Sequence, residues 1–469
     1  SVDPASDPAM ALRLGAAAAL AGIPVAPASL LRVIKNASPM PVPWPDHARR
    51  ALIELLGAGE PLAGVWEALD QAGVITALLP AWDRLRSLPQ RDPVHRHTVD
   101  RHLVQTAIEA AGLVRTVDRP DLLLITALMH DIGKGTGLDH SVAGAELAPE
   151  WLSDLGFSAV DSAVVVWLVR HHLLLAETAL RRDPDDPATI EAVAAQVGSV
   201  ALLNLLAALT EADAQAAGPA AWTPWKAGQV LILVNRVRAM LAGSSPSVVE
   251  PESDEDAPDH DAPDEAGSAE DAVTVSIRAL EDGIAVTASA PDRRGLLAAA
   301  AGVFALHRMT VRSAAASTSG TRARQEWVVA PQFGDGPETV VLRGDLTRAL
   351  AGTSDVAAAL ARRRGSTSRV AAATPARSVA APEVHVVPGA SRRSTVLEVR
   401  ARDVPALLFV VATTVAALGV DVVGARVDTY GADAVDVFYL RQGRRPLDPP
   451  EEQAVLDAVR AVVAPPPAA

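Results

Sequence analysis

The residues best equipped for chemistry stand at Met129-His130-Asp131-Ile132-Gly133-Lys134, where an apolar run ends. An adjacent His-Asp pair offers one nitrogen and one oxygen ligand to a single divalent cation, and a lysine three residues on can meet a phosphate. The dipeptide is common, but its neighbourhood is not: of eleven histidines, seven lie between His95 and His172. His102, in Thr98-Val-Asp-Arg-His-Leu-Val, and Asp213, closing the run Leu202–Asp213, complete a two-nitrogen, two-oxygen set with His130 and Asp131. With water filling the shell, such a set suits Mn2+, Mg2+, Fe2+ or Zn2+. His140, after the loop Gly133–Gly137, and the pair His171-His172 fit a second ion, with Asp131 as the bridge. A substrate phosphate is the alternative partner for these three. Lys134 and Arg170 would then stand near enough to counter a phosphate. A bound metal makes hydroxide available near neutral pH and shields phosphate charge, so Asp131, His130 and Lys134 are expected to carry the reaction.

The remaining histidines (His47, His95, His97, His260, His307 and His385) are read as caps or satisfied polar groups, and Asp100, Asp139 and Glu146 as solvated or supporting. Histidine at a helix end fills that role more often than it binds metal.

These side chains need helices to bring them together. Apolar positions recur at helical spacing in Ala48–Leu56, Leu62–Ala72, Val99–Leu113, Leu122–Ile132, Ser162–Leu175 and Val200–Ala214, and residues 9–240 read as helical nearly throughout. Breaks fall at Pro39–Pro45, Arg119-Pro120, Gly133–Gly137 and Arg182–Pro187. After Ala272 the pattern becomes β and α in alternation. Strands are expected at Val273–Leu280, Gly283–Ser289, Thr310–Ser317 and Gln325–Ala330, with helices at Gly295–His307 and Leu346–Arg364. The order then restarts: strand Ser394–Ala401, helix Pro405–Leu418, strands Asp421–Thr429 and Ala434–Leu440, helix Pro450–Val463.

This second half is an internal repeat with one offset. A shift of 111 carries Asp292 to Asp403, Leu296 to Leu407, Ala301 to Ala412, Val311 to Val422, Ala314 to Ala425 and Trp327 to Phe438. Two copies of one small α+β domain of ferredoxin-like βαββαβ type is the economical reading. The expected divisions are 1–82 (lead-in helices), 83–242 (the His-rich bundle), 243–271 (linker), 272–364 (first copy), 365–381 (linker) and 382–465 (second copy).

Composition narrows the alternatives. Half of the 469 residues are apolar, ample for buried cores, and there is no cysteine. Disulfides, thiolate metal sites and cysteine nucleophiles are thereby excluded. The net charge is −14, but the segment 243–271 holds eleven acidic residues and no Lys or Arg; −14 less −11 leaves −3 for the rest. A broad basic face for nucleic acid therefore has no support. The acidic segment cannot offset its ordering entropy and is expected to be a disordered spacer. No apolar run reaches membrane-spanning length and no secretory signal is visible. The expectation is a soluble, cytoplasmic protein without a membrane. The first residue is Ser1, which suggests a fragment or a processed form.

The four-ligand pattern His102, His130, Asp131, Asp213 resembles the HD phosphohydrolase superfamily, and the repeats resemble ACT domains, which bind amino acids at their interfaces. Asp292-Arg-Arg-Gly295-Leu296 matches the ACT signature Asp-x-x-Gly-Leu, where glycine lets backbone N–H groups approach a ligand carboxylate. The second copy has Asp403-Val-Pro-Ala406-Leu407, with alanine in place of that glycine. An HD domain followed by two ACT domains is similar to the C-terminal part of the bifunctional uridylyltransferase/uridylyl-removing enzyme family acting on the nitrogen-regulatory PII protein. Thr98-Val-Asp-Arg-His102, Asp139-His140-Ser141, Val169-Arg-His-His-Leu173 and Trp222-Thr-Pro-Trp-Lys226 resemble that family locally.

The resemblance implies a phosphodiesterase using one or two Mn2+ or Mg2+ ions to remove UMP, or AMP, from a modified tyrosine of PII. It implies glutamine as effector, bound at Asp292, Gly295, Leu296, Asp403 and Ala406. The family's nucleotidyltransferase half has no counterpart here, and residues 1–40 would be its helical tail; transfer is not expected of this chain alone. The rival readings are an HD hydrolase of a free nucleotide such as (p)ppGpp, and a non-catalytic amino-acid-sensing fragment.

Overall fold

In a computed structural model, the described residues are 7–36, 38–90, 96–219, 221–243, 273–280, 283–319, 321–332, 334, 336–367, 381–402, 406–430 and 433–464. They fall into two compact units: residues 1–179 with 192–244, and residues 180–191 with 245–469. The lead-in expected over 1–82 thus folds with the bundle, and 180–191 groups with the second unit and not with its sequence neighbours. The linker expected at 243–271 lies outside the described residues, apart from Gly243.

The first unit is helical. The lead-in comprises α1 (Met10–Leu20), α2 (Pro27–Asn36), α3 (Asp46–Leu56), α4 (Pro61–Gln71), α5 (Val74–Leu78) and a 3-10 turn at Pro80–Leu85. The bundle follows as α6 (Val99–Gly112), α7 (Pro120–Met129), α8 (His140–Asp154), α9 (Ala159–His171), α10 (Leu174–Arg181), α11 (Pro187–Val197), α12 (Val200–Ala217) and α13 (Pro224–Leu241), the end of α10 and the start of α11 lying in the segment 180–191 that groups with the second unit. Starts are set where the sequence supplies caps. Asp139, Ser158, Ser199 and Thr223 each accept a bond from a first-turn amide, satisfying donors with no partner inside the helix. Every residue of α7 from Leu122 to Met129 is buried. It is the axis of the unit, and α6, α9 and α12 pack around it.

The helix expected over Ser162–Leu175 breaks after His171, and α10 begins at Leu174. Together Ala159–Arg181 is, among the described residues, one stretch long and apolar enough to cross a membrane, which the sequence reading did not anticipate. Val165, Leu168 and Val169 within it are buried in the bundle.

The second unit runs β1 (Thr274–Leu280), β2 (Gly283–Pro291), α14 (Leu296–Leu306), β3 (Met309–Ser319), β4 (Arg322–Pro331), α15 (Thr339–Leu350), α16 (Val356–Thr367), β5 (Glu383–Val386), β6 (Thr395–Arg402), α17 (Leu407–Ala417), β7 (Asp421–Tyr430), β8 (Asp433–Arg441) and α18 (Pro449–Val463). The strands form one eight-stranded antiparallel sheet, β1-β2-β4-β3-β7-β8-β6-β5. Each copy is α+β, as expected, but ordered ββαββα. The outermost strand enters from the N-terminal side, and in the second copy it is the four-residue β5, which the sequence reading did not find.

The helix expected over Leu346–Arg364 is two helices, because Gly352 turns left-handed (φ +76°) and Asp355 caps the Ala358 amide at 2.9 Å. α16 reaches Thr367, so the linker expected at 365–381 starts later; residues 368–380 lie outside the described set.

The repeat offset also fixes how the copies join. Ala314 of β3 pairs with Ala425 of β7, its counterpart 111 residues on, flanked by Ser313–Arg426 and Ala315–Gly424. Such self-complementary pairing is what two-fold-related copies produce. Above the sheet α14 packs on α17 at Gly302, where a Cβ would strike Val356 and stand 2.8 Å from Phe409 Cδ2.

Candidate metal centre

Five segments of the first unit bring the predicted ligands together. α6 carries His102, the turn after α7 carries His130 and Asp131, α8 opens with His140, α9 ends before His172, and α12 carries Asp213. His102, His130, Asp131 and His172 are buried. His102 Nε2 lies 2.9 Å from Asp213 Oδ1 and 3.7 Å from Asp131 Oδ2. His130 Nε2 lies 3.3 Å from Asp213 Oδ1 and 3.5 Å from Asp131 Oδ2.

On the other side of the same carboxylate, Asp131 Oδ1 lies 3.5 Å from His140 Nε2 and 3.8 Å from His172 Nε2. Two triads result, His102/His130/Asp131 and Asp131/His140/His172, each with ligand atoms within 4.8 Å of one another. Asp131 belongs to both.

The donor set fits divalent ions. His130 Nε2 and Asp131 Oδ1 are buried without a hydrogen-bond partner; such groups cost about 1–3 kcal/mol unless something satisfies them. Supporting contacts fix the rings. His130 Nδ1 donates to Ala127 O at 2.9 Å and His172 Nδ1 to Val169 O at 2.7 Å, which turns each Nε2 inward. Asp139 does not join the cluster; it caps α8 and so places His140.

The electrostatics are those of a charged, dry site. Burial opposes charge on His130, but the Asp131 and Asp213 carboxylates outweigh it and push the imidazole up to about 10. Burial would raise Asp131, yet His130, Lys134 and His172 hold it well below the usual carboxylate range. Asp213, desolvated too, is held down by His130 and His102. Burial and the charge on His130 bring His172 down to about 4.

Two predicted residues stand elsewhere. His171 packs on Trp167 at 4.6 Å between ring centroids, and its Nδ1 is 3.0 Å from Gln196 Nε2. Consecutive helical residues point about 100° apart, so only one of the His171-His172 pair can face Asp131. Arg170 is exposed on the same turn, and its charge, after burial, lowers the His171 pKa. Lys134 does reach the cluster: Nζ is 2.5 Å from Asp131 Oδ2 and also donates to Gln90 Oε1. Nothing in the Pro- and Arg-rich segment around Gln90 marked it out in the sequence.

In the second unit Gly295 is left-handed (φ +85°) at the start of α14, while the Asp292 amide donates to Thr321 O at 2.8 Å. The Leu296 side chain is buried in the core, which leaves only its backbone to face a ligand. Ala406 takes the same left-handed geometry (φ +69°) at the start of α17, and Asp403 lies outside the described residues. His47, His307 and His385 pair with Asp7, Asp345 and Glu398, the structural roles expected of them. His95 and His260 lie outside the described residues.

Residues 99–208 match the HD domain family. That span contains every member of the cluster except Asp213. Over 96% of its length the chain is 45% identical to a protein of Streptomyces coelicolor named bifunctional uridylyltransferase/uridylyl-removing enzyme. A protein of the same name from Mycobacterium tuberculosis is 41% identical over 93% of the chain, and one from Corynebacterium glutamicum is 37% identical over 51%. The chain spans 58%, 54% and 35% of these relatives' own lengths.

Proposed function

Residues 99–208 are an HD domain, and the chain around them is homologous to part of the bifunctional uridylyltransferase/uridylyl-removing enzymes; from that premise we propose that it is a metal-dependent phosphodiesterase removing UMP from a modified tyrosine of the PII protein. The observation that carries this reading is Asp131, a buried carboxylate shared by two ligand triads with an ammonium against its edge. The uridylyl-removing half of the relatives' name is the half this chemistry suits.

His102, His130, Asp131 and Asp213 would hold one divalent ion, and His140, His172 and Asp131 a second. Mn2+ or Mg2+ bound there supplies Lewis acidity and activates water. The chain's own residues do the rest. Asp131, held ionised, fixes both positions at once. Lys134 offers positive charge beside them to a phosphoryl oxygen as negative charge develops in the transition state. Water adds to phosphorus, the bond from phosphorus to the tyrosine oxygen breaks, and UMP leaves with a free phenol. The second unit, with Gly295 at the start of α14, would sense glutamine and favour removal when it is abundant.

The test is nucleotide release from uridylylated PII with Mn2+, with and without glutamine, for the full chain and for Asp131→Ala. Release of UMP that glutamine stimulates and Asp131→Ala abolishes is expected. Absence of release by the parent chain overturns the substrate. Hydrolysis of a free nucleotide such as (p)ppGpp instead would move the reading to that rival, and release by Asp131→Ala at the parent's rate would overturn the metal centre.

A further inference from the structure

The segment that precedes the HD domain straps the turn carrying the His-Asp pair. Arg84, in the 3-10 turn Pro80–Leu85, donates to the Ile132 carbonyl and reaches the Lys134 carbonyl at 3.5 Å. Leu88 closes over left-handed Gly135 (φ +83°), where a Cβ would lie 2.8 Å from Leu88 Cδ2. The Val99 amide ties the strap to α6 through Leu88 O at 2.9 Å. Gln90 ends it, with Oε1 accepting from Lys134 Nζ.

An ammonium only donates, so the oxygen end of the Gln90 carboxamide must face it. That turns Nε2 the other way, where it is buried with no hydrogen-bond partner. A buried donor without a partner is costly, and this one sits on the group that touches Asp131. A phosphoryl group seated on Lys134 would present its next oxygen to that N–H. We propose that Gln90 is a positioning residue of the hydrolytic site: its oxygen holds Lys134 beside Asp131, and its amide donates to the substrate phosphate. This rests on the phosphoesterase reading above, and adds to it a residue from outside residues 99–208.

The decisive variant is Gln90→Met, which keeps the side chain's length and volume but can neither accept from Lys134 nor donate. In the full chain loaded with Mn2+, kcat for UMP release should fall about 100–1000-fold, the range for losing one donor at a developing charge. Inorganic phosphate, titrated calorimetrically, should bind at least about tenfold more weakly, the minimum for one lost hydrogen bond to a charged group. Mn2+ affinity and Tm should match the parent, and Gln90→Glu, with a carboxylate in place of the donor, should lose more than Gln90→Met. Parent-like kcat and phosphate affinity in Gln90→Met would overturn the proposal. If the parent releases nothing from PII, the substrate assignment fails, and phosphate titration alone still decides Gln90. A parent that binds no phosphate overturns its role.

Discussion

Gly133 sets the distance between the His-Asp turn and the helix that brings His140. A Cβ at position 133 would overlap the His140 carbonyl oxygen and the Gly144 amide nitrogen, and would stand 2.9 Å from the His140 carbonyl carbon. Carbon atoms rest about 3.5–4.0 Å apart, so Gly133→Ala demands that the start of α8 retreat by at least roughly 0.6–1.1 Å. Gly133 is not left-handed, so the alanine backbone itself is unstrained and the effect is steric. His140 Nε2 stands 3.5 Å from Asp131 Oδ1, and a retreat of that size takes it off the shared carboxylate.

Overpacking of this kind costs about 1–3 kcal/mol. For a unit of this size, that is a fall in Tm of roughly 2–12 °C. A misplacement near 1 Å costs about 100-fold in rate. Gly144→Ala is the control: its Cβ would meet the end of the Val169 side chain at 3.0 Å, a group that can yield. Thermal unfolding, manganese titration and nucleotide release read all three quantities. Parent-like Tm and manganese binding in Gly133→Ala would refute the steric argument.

Metal affinity should rise with pH. His130, pushed from 6.5 up to about 10 in the metal-free protein, is protonated at neutral pH and must lose that proton to bind. Between pH 7 and 9 the apparent affinity should therefore gain up to about tenfold per pH unit. Competition with a chelating dye would reveal this, and a flat profile would contradict it. By the same linkage, a pKa raised on folding stabilises the metal-free protein fully below 6.5, and that stability fades as pH rises towards 10; metal-free Tm across this window checks the sign. In the second unit Gly302→Val should drive α14 from α16 and α17 and lower stability by about 1–3 kcal/mol, visible in chemical denaturation. Ala406→Gly should raise it by about 0.5–1 kcal/mol, because relief of the left-handed strain outweighs the glycine's extra unfolded-state entropy; a fall in Tm would count against the φ of +69°.

Much of the centre was legible because its residues are of types that a helical core rarely tolerates without a partner. His102 and Asp213 interrupt apolar runs, and each proved to face the same buried space as His130 and Asp131. His140 followed from position, just after the glycine-rich loop Gly133–Gly137; that Asp139 caps its helix was not read from the sequence. The choice between His171 and His172 was not available from spacing, because both are histidine and only the phase of α9 against its neighbours decides which one turns inward. Gln90 was invisible for a different reason: its partner is 44 residues away and the contact depends on how the strap closes. Helix ends marked by Pro, Gly or a capping side chain were found to within a few residues, while the four-residue β5 carried too short a pattern.

By itself, the sequence determined the helical first half, the α+β second half and the offset of 111 between its copies. Periodicity is a local property, and a repeat needs no structure to be seen. It also determined which side chains had to find each other, since a buried histidine or aspartate must be satisfied. Tertiary structure alone decided that His172, and not His171, joins His140 on the far side of Asp131. It decided as well that Ala314 and Ala425 are the residues on which the two copies meet. Convergence of this kind depends on the distance and rotation between packed helices and strands, which are fixed by close contacts such as those of Gly133 and Gly302 and by no pattern within one segment.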